Sequence, residues 1–129
     1  MKLSNDRRQS QRVLFEKKHD IMGHFSLVKN PGKSVIVHIM NMSLGGIFFT
    51  IRYNRDIQLQ VGDIIIFEDI RRNDLKVFSL KLEAKIIWIM DDSEMEYIGV
   101  GSKFLDLNSE KASRIKDCIH YCQKIPSSH

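Results

Sequence analysis

The chain has 129 residues, of which 43% are hydrophobic and 28% are charged. This balance is typical of a folded globular protein and excludes a disordered chain, and every apolar run is far shorter than the roughly 20 residues of a membrane-spanning helix. The first 18 residues hold six basic and two acidic residues, which accounts for the whole formal net charge of +4.

The amino-terminal segment therefore carries a positive charge that the rest of the chain does not. Its first dozen residues contain almost no apolar side chains, so burial cannot compensate for the backbone entropy lost on ordering them. We expect a flexible basic arm over residues 1–14 that meets an anionic partner, with a solubilising tail as the alternative. No apolar run follows its basic residues, so it does not resemble a secretory signal, and the expected compartment is the cytoplasm.

Residues 22–107 contain runs of β-branched and aromatic residues separated by turn-forming clusters such as KNPGKS, SLGG and RRND. This rhythm predicts an antiparallel all-β body. The candidate strands are His24 to Lys29, Ser34 to Met40, Ile47 to Arg52, Ile64 to Asp69, Leu75 to Met90 and Tyr97 to Leu107. About six strands favour a small closed barrel, because closure removes exposed edges, and a sandwich is the alternative. Trp88 is expected to lie in the barrel core.

From Asn108 the apolar period changes to three or four, which predicts an amphipathic helix over residues 108–125 with Asn108 or Ser109 as its cap. The stripe consists of Ala112, Ile115, Cys118, Ile119 and Cys122. It either packs across the barrel or serves as a partner surface. The two cysteines are interpreted as reduced core residues, because a metal site would need two further ligands. The whole chain, residues 1–129, is predicted to be one domain, with the barrel at 15–107.

Two short motifs carry the chemistry. Arg8 and Arg12 are four residues apart, which places both guanidinium groups on one side of a strand or on neighbouring turns of a helix. Guanidinium forms two-pronged hydrogen bonds with phosphate oxygens and with the O6 and N7 edge of guanine. An anionic guanine nucleotide would satisfy both uses.

The second motif is NMSLGG at residues 41–46. In an extended strand Asn41 and Ser43 would point to the same face, while Gly45 and Gly46 permit positive φ and leave space beside the backbone. The stretch is interpreted as either a plain hairpin turn or a ligand cradle.

Together these motifs resemble those of the PilZ domains, bacterial receptors for the second messenger cyclic di-GMP. That family has R-x-x-x-R, here Arg8 to Arg12, and [D/N]-x-S-x-x-G, here Asn41 to Gly46. The stretch YIGVGSKFLDLN at residues 97–108 is also similar to the family's last strand and the start of its terminal helix.

The resemblance implies a six-stranded barrel on which Asn41, Ser43 and Gly46 form a ledge, covered by an arginine arm that folds over the ligand. In the family the arginines contact guanine and phosphate, the Asn or Asp and the Ser contact guanine or phosphate, and the glycines keep the approach open. Arg7 matches a basic residue often found before the first motif, which in similar proteins accompanies two intercalated ligand molecules.

The expected function is therefore a non-enzymatic cyclic di-GMP sensor that signals to a downstream partner of unknown identity. The histidines show no metal-binding spacing and no nucleophile motif is present, so neither catalysis nor a cofactor is predicted. The main alternative is an adaptor of the same fold that binds a protein and no nucleotide. Nucleic-acid binding is disfavoured, because the body is balanced in charge.

Overall fold

The computed structural model describes residues 13–14, 21–52, 57–72, 77–91 and 96–123. They form seven strands and a helix: β1 Val13–Leu14, β2 Ile21–Leu27, β3 Asn30–Met42, β4 Gly46–Arg52, β5 Ile64–Arg72, β6 Val77–Met90, β7 Tyr97–Phe104 and α1 Ser109–Gln123. The predicted flexible arm at residues 1–14 falls almost wholly outside these ranges, and the division of the chain into arm, barrel and helix stays a prediction.

The strands form one closed antiparallel barrel. Hydrogen bonding follows the order β3, β2, β5, β6, β7, β4, and β4 pairs again with β3 to close the ring. The short strand β1 adds to β3 outside this ring of six. The predicted six-stranded barrel is confirmed, and the sandwich is excluded because every strand edge in the ring finds a partner.

The KNPGKS segment, which we predicted to be a turn, lies mostly within strand β3. The turn is confined to residues 28 and 29, and β3 already begins at Asn30. Leu27 pairs with Asn30 and Ser26 pairs with Ser34, so residues 31–33 have no register partner on β2. Pro31 is tolerated in this bulge because proline has no N–H to give to a ladder.

The barrel interior is filled by side chains that alternate with outward-facing ones. Phe25, Phe49 and Phe67 are fully buried, and their ring centroids lie 5.3, 5.6 and 5.9 Å apart in tilted and edge-on arrangements. Such aromatic contacts add about 0.5–1.5 kcal/mol per pair beyond the area that they bury. The interior is therefore a packed core, and any ligand site must lie on the outer surface.

The helix α1 packs against the barrel. Its cap is Asn108, whose Oδ1 accepts a hydrogen bond of 2.8 Å from the Lys111 N–H. Ile115, Cys118 and Cys122 are fully buried as part of the core. The prediction that the apolar stripe packs on the barrel is confirmed.

Two arginines tie the helix to the strands. The Arg72 guanidinium of β5 donates to the carbonyl oxygen of Tyr121 at 3.5 Å, and Arg114 donates to the carbonyl oxygen of Ser79 in β6. Both bonds join a charged donor to a helix-end or strand carbonyl, and such bonds are stronger than neutral ones.

Both cysteines are free and buried, as predicted. The pKa of the Cys118 thiol is raised, first by its hydrogen bond with Cys122 and second by burial, so it stays protonated. In the part of the chain that the structure describes, no helix has the length and apolar character to span a bilayer.

Candidate functional site

A bulge in β3 turns Asn41 outward. Val35, Val37 and Ile39 alternate into the core, and unbroken alternation would send residue 41 inward as well. The register shifts after Ile39, which pairs with Phe49, so that Asn41 stands opposite Phe48. The extra residue is Met40. A single inserted residue reverses which face every later side chain occupies. The register therefore places Asn41 on the same outer face as Phe48, where it is covered so that only 9% of it is exposed.

A second bulge does the same for Trp88 in β6. Ala84 and Ile86 point inward, and alternation predicts that Trp88 follows them. The register instead shifts between Ile86, which pairs with Ser102, and Trp88, which pairs with Gly101. Trp88 is 39% exposed. The prediction of a core tryptophan is therefore wrong, because a bulge reversed the face of the strand.

The two bulges bring one continuous row of residues onto the outer wall. Register partners lead from Asn41 to Phe48, from Phe48 to Gly101, and from Gly101 to Trp88. We call this set the outer row. Directly opposed residues share a face of the sheet, so the row crosses four strands on one side, and the backbone of β1 pairs beside Asn41 at its end.

The aromatic end of the outer row packs against the backbone of β7. The rings of Phe48 and Trp88 are 5.2 Å apart at an interplanar angle of 38°. A Cβ atom on Gly101 would collide with the indole nitrogen and lie 2.8 Å from Cζ2 of Trp88. Glycine is required there, since the indole lies against the β7 backbone. Partly exposed aromatic faces of this kind are suited to stacking with planar rings.

Residues 41–46 form the polar end of the site, and we call them the ledge. The Ser43 N–H donates to the Gly46 carbonyl at 3.0 Å, and the Gly45 N–H donates to Ser43 Oγ at 3.0 Å. The Gly45 carbonyl accepts from the Phe104 N–H at 2.9 Å. Ser43 is 2% exposed. The NMSLGG stretch is thus a tight β3–β4 connection whose hydrogen bonds fix its shape before any ligand arrives.

Gly46 is needed for close packing between strands. An added Cβ would collide with the carbonyl oxygen of Ser102 and lie 2.9 Å from its carbonyl carbon. Gly46 has no left-handed φ, whereas Gly62 is the described glycine that does, at 99°. Gly46 therefore does not use the positive φ that glycine permits, and the close approach of β7 is what excludes a side chain there.

The predicted arginines Arg7, Arg8 and Arg12 lie outside the described residues. Strand β1 begins directly after them, and its Val13 and Leu14 pair with Met42 and Asn41. The chain that follows the first motif is therefore hydrogen-bonded alongside the second motif. Of the predicted site residues, the structure brings together Asn41, Ser43, Gly45 and Gly46.

Phe48, Trp88 and Gly101 were not singled out as site residues from the sequence. Their arrangement depends on pairing between β4, β6 and β7, which local patterns do not reveal. A tryptophan and a glycine at matching strand positions would have been a signal only if the register were known. Within the described ranges, no three His, Cys, Asp or Glu side chains cluster as a metal site.

Comparison with known proteins agrees with this geometry. The model of the PilZ domain family matches residues 6–121. The chain belongs to the PilZ domain family, whose members are non-catalytic receptor domains for cyclic di-GMP (c-di-GMP), and through its family the prediction that it is not an enzyme is confirmed. No curated protein matches the chain significantly.

Several solved structures share the fold at low sequence identity. The PilZ domain of YcgR from Escherichia coli, with c-di-GMP, matches at 19% identity and a TM-score of 0.67, covering 91% of this chain and 92% of that chain. The K. pneumonia MrkH–c-di-GMP complex matches at 12% identity and a TM-score of 0.63, covering 88% of this chain and 50% of that one.

The Bacillus subtilis inhibitor of motility, MotI/DgrA, matches at 18% identity and a TM-score of 0.58, with 88% of this chain and 50% of that chain covered. The chain thus spans about half the length of MrkH and of MotI/DgrA. These similarities establish the fold.

Proposed function

We propose that this protein binds cyclic di-GMP on the ledge and that the arginines of the R-x-x-x-R motif complete the site when ligand is present. One observation carries the proposal: Leu14 and Asn41 are register partners, so the strand that follows the arginine motif runs beside the ledge. Arg12 directly precedes Val13, and consecutive Cα atoms are about 3.8 Å apart. The strand that begins one residue after the first motif is therefore paired with the strand that carries the second, which supports the proposal that both motifs bind one ligand.

The proposed roles follow from the chemistry of each group. Arg8 and Arg12 donate to phosphate oxygens and to the O6 and N7 edge of guanine, and Arg7 adds a further positive charge. Asn41 and Ser43 supply the polar groups of the ledge. Gly45 is exposed and leaves that part of the ledge without a side chain, whereas Gly46 lets β4 lie close to β7 and so holds the ledge in place. In similar proteins a basic residue at the position of Arg7 accompanies two intercalated ligand molecules. Titration calorimetry measures whether this chain binds one or two.

The free energies of ordering and binding indicate that several groups must bind the ligand together. Ordering a five-residue motif costs on the order of 5–10 kcal/mol of backbone entropy, and each charge-assisted hydrogen bond returns about 1.5–3 kcal/mol. A micromolar dissociation constant corresponds to about 8 kcal/mol in total. No single arginine can supply this, so the arginines and the ledge must act together, and ordering of the arm on the ligand becomes the signal to a downstream partner.

Isothermal titration calorimetry tests the proposal. We expect cyclic di-GMP to bind with a dissociation constant in the micromolar range or below, with either one or two ligands per chain, and cyclic di-AMP and GTP to bind at least about tenfold more weakly. The protein should give no heat with single-stranded oligonucleotides. If cyclic di-GMP gives no heat at tens of micromolar, the proposal is wrong and the non-binding adaptor becomes the better reading.

Substitution of the arginines tests their assignment. Arg8→Ala and Arg12→Ala should each weaken binding at least about tenfold, because each removes a charge-assisted hydrogen bond, while thermal stability changes little. Arg52→Ala is the matched control, since Arg52 is an exposed barrel arginine paired with Glu96 at 3.0 Å. Equal affinity in the Arg8, Arg12 and Arg52 variants would refute the assignment.

A further inference from the structure

Two lysines face each other on the outer wall beside the ledge. Lys103 of β7 and Lys85 of β6 are direct register partners, and both are exposed. We call them the lysine pair. Like charges directly opposite each other on neighbouring strands are destabilising, so an unrelieved pair of this kind needs a reason.

No carboxylate among the described residues forms an ion pair with either lysine of the pair. The register row that contains it runs from Gly46 through Lys103 and Lys85 to Ile64, with no acidic residue. The adjacent part of the outer row, from Phe48 to Trp88, is also without charge. Glu83 lies two positions along β6, and within the described chain no ion pair joins it to either lysine.

Two other barrel lysines have carboxylate partners, whereas Lys33, at the exposed start of β3, has none among the described residues. Lys29 Nζ lies 2.8 Å from Asp63 Oδ2, and Lys81 Nζ lies 3.7 Å from Glu68 Oε1. Lysines on this barrel can therefore be given carboxylate partners. The pair at positions 85 and 103 keeps both charges available to an anion from outside the chain.

Lys103 of the lysine pair lies next to the ledge. Gly46 and Lys103 are register partners on neighbouring strands, which are about 4.8 Å apart. Lys85 lies one strand further in the same row, within reach of the same molecule because lysine has a flexible four-carbon stem. An anion seated on the ledge thus has two ammonium groups at its edge opposite β1.

We infer that Lys103, assisted by Lys85, contacts a phosphate of the dinucleotide bound on the ledge, on the side opposite the arginine arm. This inference rests on the proposed function. Phosphate is the suitable partner because ammonium is a compact charge with three donors, whereas reading a guanine edge favours the planar guanidinium. The two phosphates of a cyclic dinucleotide would then be neutralised from two directions, by arginines at one edge and by lysines at the other.

The test compares four single variants in calorimetry with cyclic di-GMP at two salt concentrations. Lys103→Gln should weaken binding about tenfold and Lys85→Gln about threefold, and both should reduce the dependence of affinity on salt. Lys103→Arg keeps the charge and should stay within about threefold of the unsubstituted protein. Lys33→Gln is the matched control: it removes one exposed charge from β3, about 26 Å along the strand from Asn41 at about 3.3 Å per residue.

A thermal melt without ligand separates binding from folding. Because Lys103→Gln relieves repulsion between like charges, it should melt at or above the temperature of the unsubstituted protein, so its weaker binding cannot come from unfolding. If the unsubstituted protein binds cyclic di-GMP and the Lys103, Lys85 and Lys33 variants bind equally well, the inference is wrong and the proposed function stands. If the unsubstituted protein does not bind, the proposed function fails and this inference fails with it.

Discussion

The outer wall of the barrel has two faces that are built differently. On the far face, formed by β2 and β5, polar groups partner one another: His24 Nδ1 lies 3.5 Å from Asp69 Oδ2, and Ser26 Oγ donates to Glu68 Oε2 at 3.2 Å. On the face that holds the ledge, the outer row contains two aromatic rings and Gly101, and the lysine pair has no carboxylate partner among the described residues.

This difference indicates which face of the barrel can bind a ligand. Charges that are paired within the chain cancel at a distance and gain little from an added ion. The ledge face instead combines the exposed backbone of Gly45, the partly exposed rings of Phe48 and Trp88, and two lysines with no carboxylate partner among the described residues. These features favour binding of a planar anionic nucleotide. Substitutions on the two faces should therefore differ in their effect on binding, and some should also differ in their effect on stability.

The largest expected effect is on stability at Gly46. Gly46→Ala forces a methyl group against the carbonyl of Ser102, and backbone cannot move aside as a side chain can. We expect a loss of about 3 kcal/mol, seen as a melting temperature lower by about 10 °C. Gly32→Ala is the control in β3, where nothing lies within 4 Å of the added atom, and it should change stability by less than about 1 kcal/mol. Equal melting temperatures would contradict the tight β4–β7 approach.

A smaller effect is expected at Ser43. Ser43→Ala removes the hydroxyl that accepts the Gly45 N–H, and the site is nearly fully buried. The expected loss is about 1–2 kcal/mol in chemical denaturation, together with a several-fold loss of cyclic di-GMP affinity as the ledge loosens. Ser34→Ala, at an exposed position of the same strand, should change neither quantity measurably. A Ser43 variant that behaves like the Ser34 variant would mean that the turn does not depend on the hydroxyl.

The smallest effect is expected on the far face. His24 and Asp69 have side chains that are 33% and 20% exposed, so solvent screens their interaction. Asp69→Asn should cost less than about 1 kcal/mol and leave the affinity for cyclic di-GMP unchanged. If this variant weakened binding as strongly as Lys103→Gln, the distinction between the two faces would be lost.

The sequence was sufficient to predict the six-stranded barrel and its terminal helix, because alternation and the three-to-four period are local patterns. The resemblance to a family motif also pointed to residues 41–46, and the ligand-binding role of Asn41, Ser43 and Gly46 stays a prediction. Alternation could not predict that Trp88 faces outward, because this position follows a bulge, and a bulge is defined by the partner strand. Asn41 also follows a bulge, and only the family resemblance placed it on the outer surface. KNPGKS was misread for a related reason, since a three-residue bulge opposite β2 accommodates Pro31 within the strand.

The reason for Gly46 was also beyond the sequence. A glycine in a turn motif suggests positive φ, yet the constraint at Gly46 comes from Ser102, which lies 56 positions later and on another strand. The lysine pair could not be predicted from the sequence for the same reason, because Lys85 and Lys103 become neighbours only through the β6–β7 register. Contacts between distant segments are what the local pattern leaves out.

The most direct test of the account is an NMR titration of the isotope-labelled protein with cyclic di-GMP. The chain has a single tryptophan, so one indole N–H signal reports on the aromatic end of the outer row. We predict saturable shifts at the amides of Ser43, Gly45, Gly46 and Lys103 and at the Trp88 indole, with the amides of Ser26 and Glu68 unchanged. Shifts concentrated on β2 and β5, with the ledge amides unmoved, would contradict the claim that the ledge face binds the nucleotide.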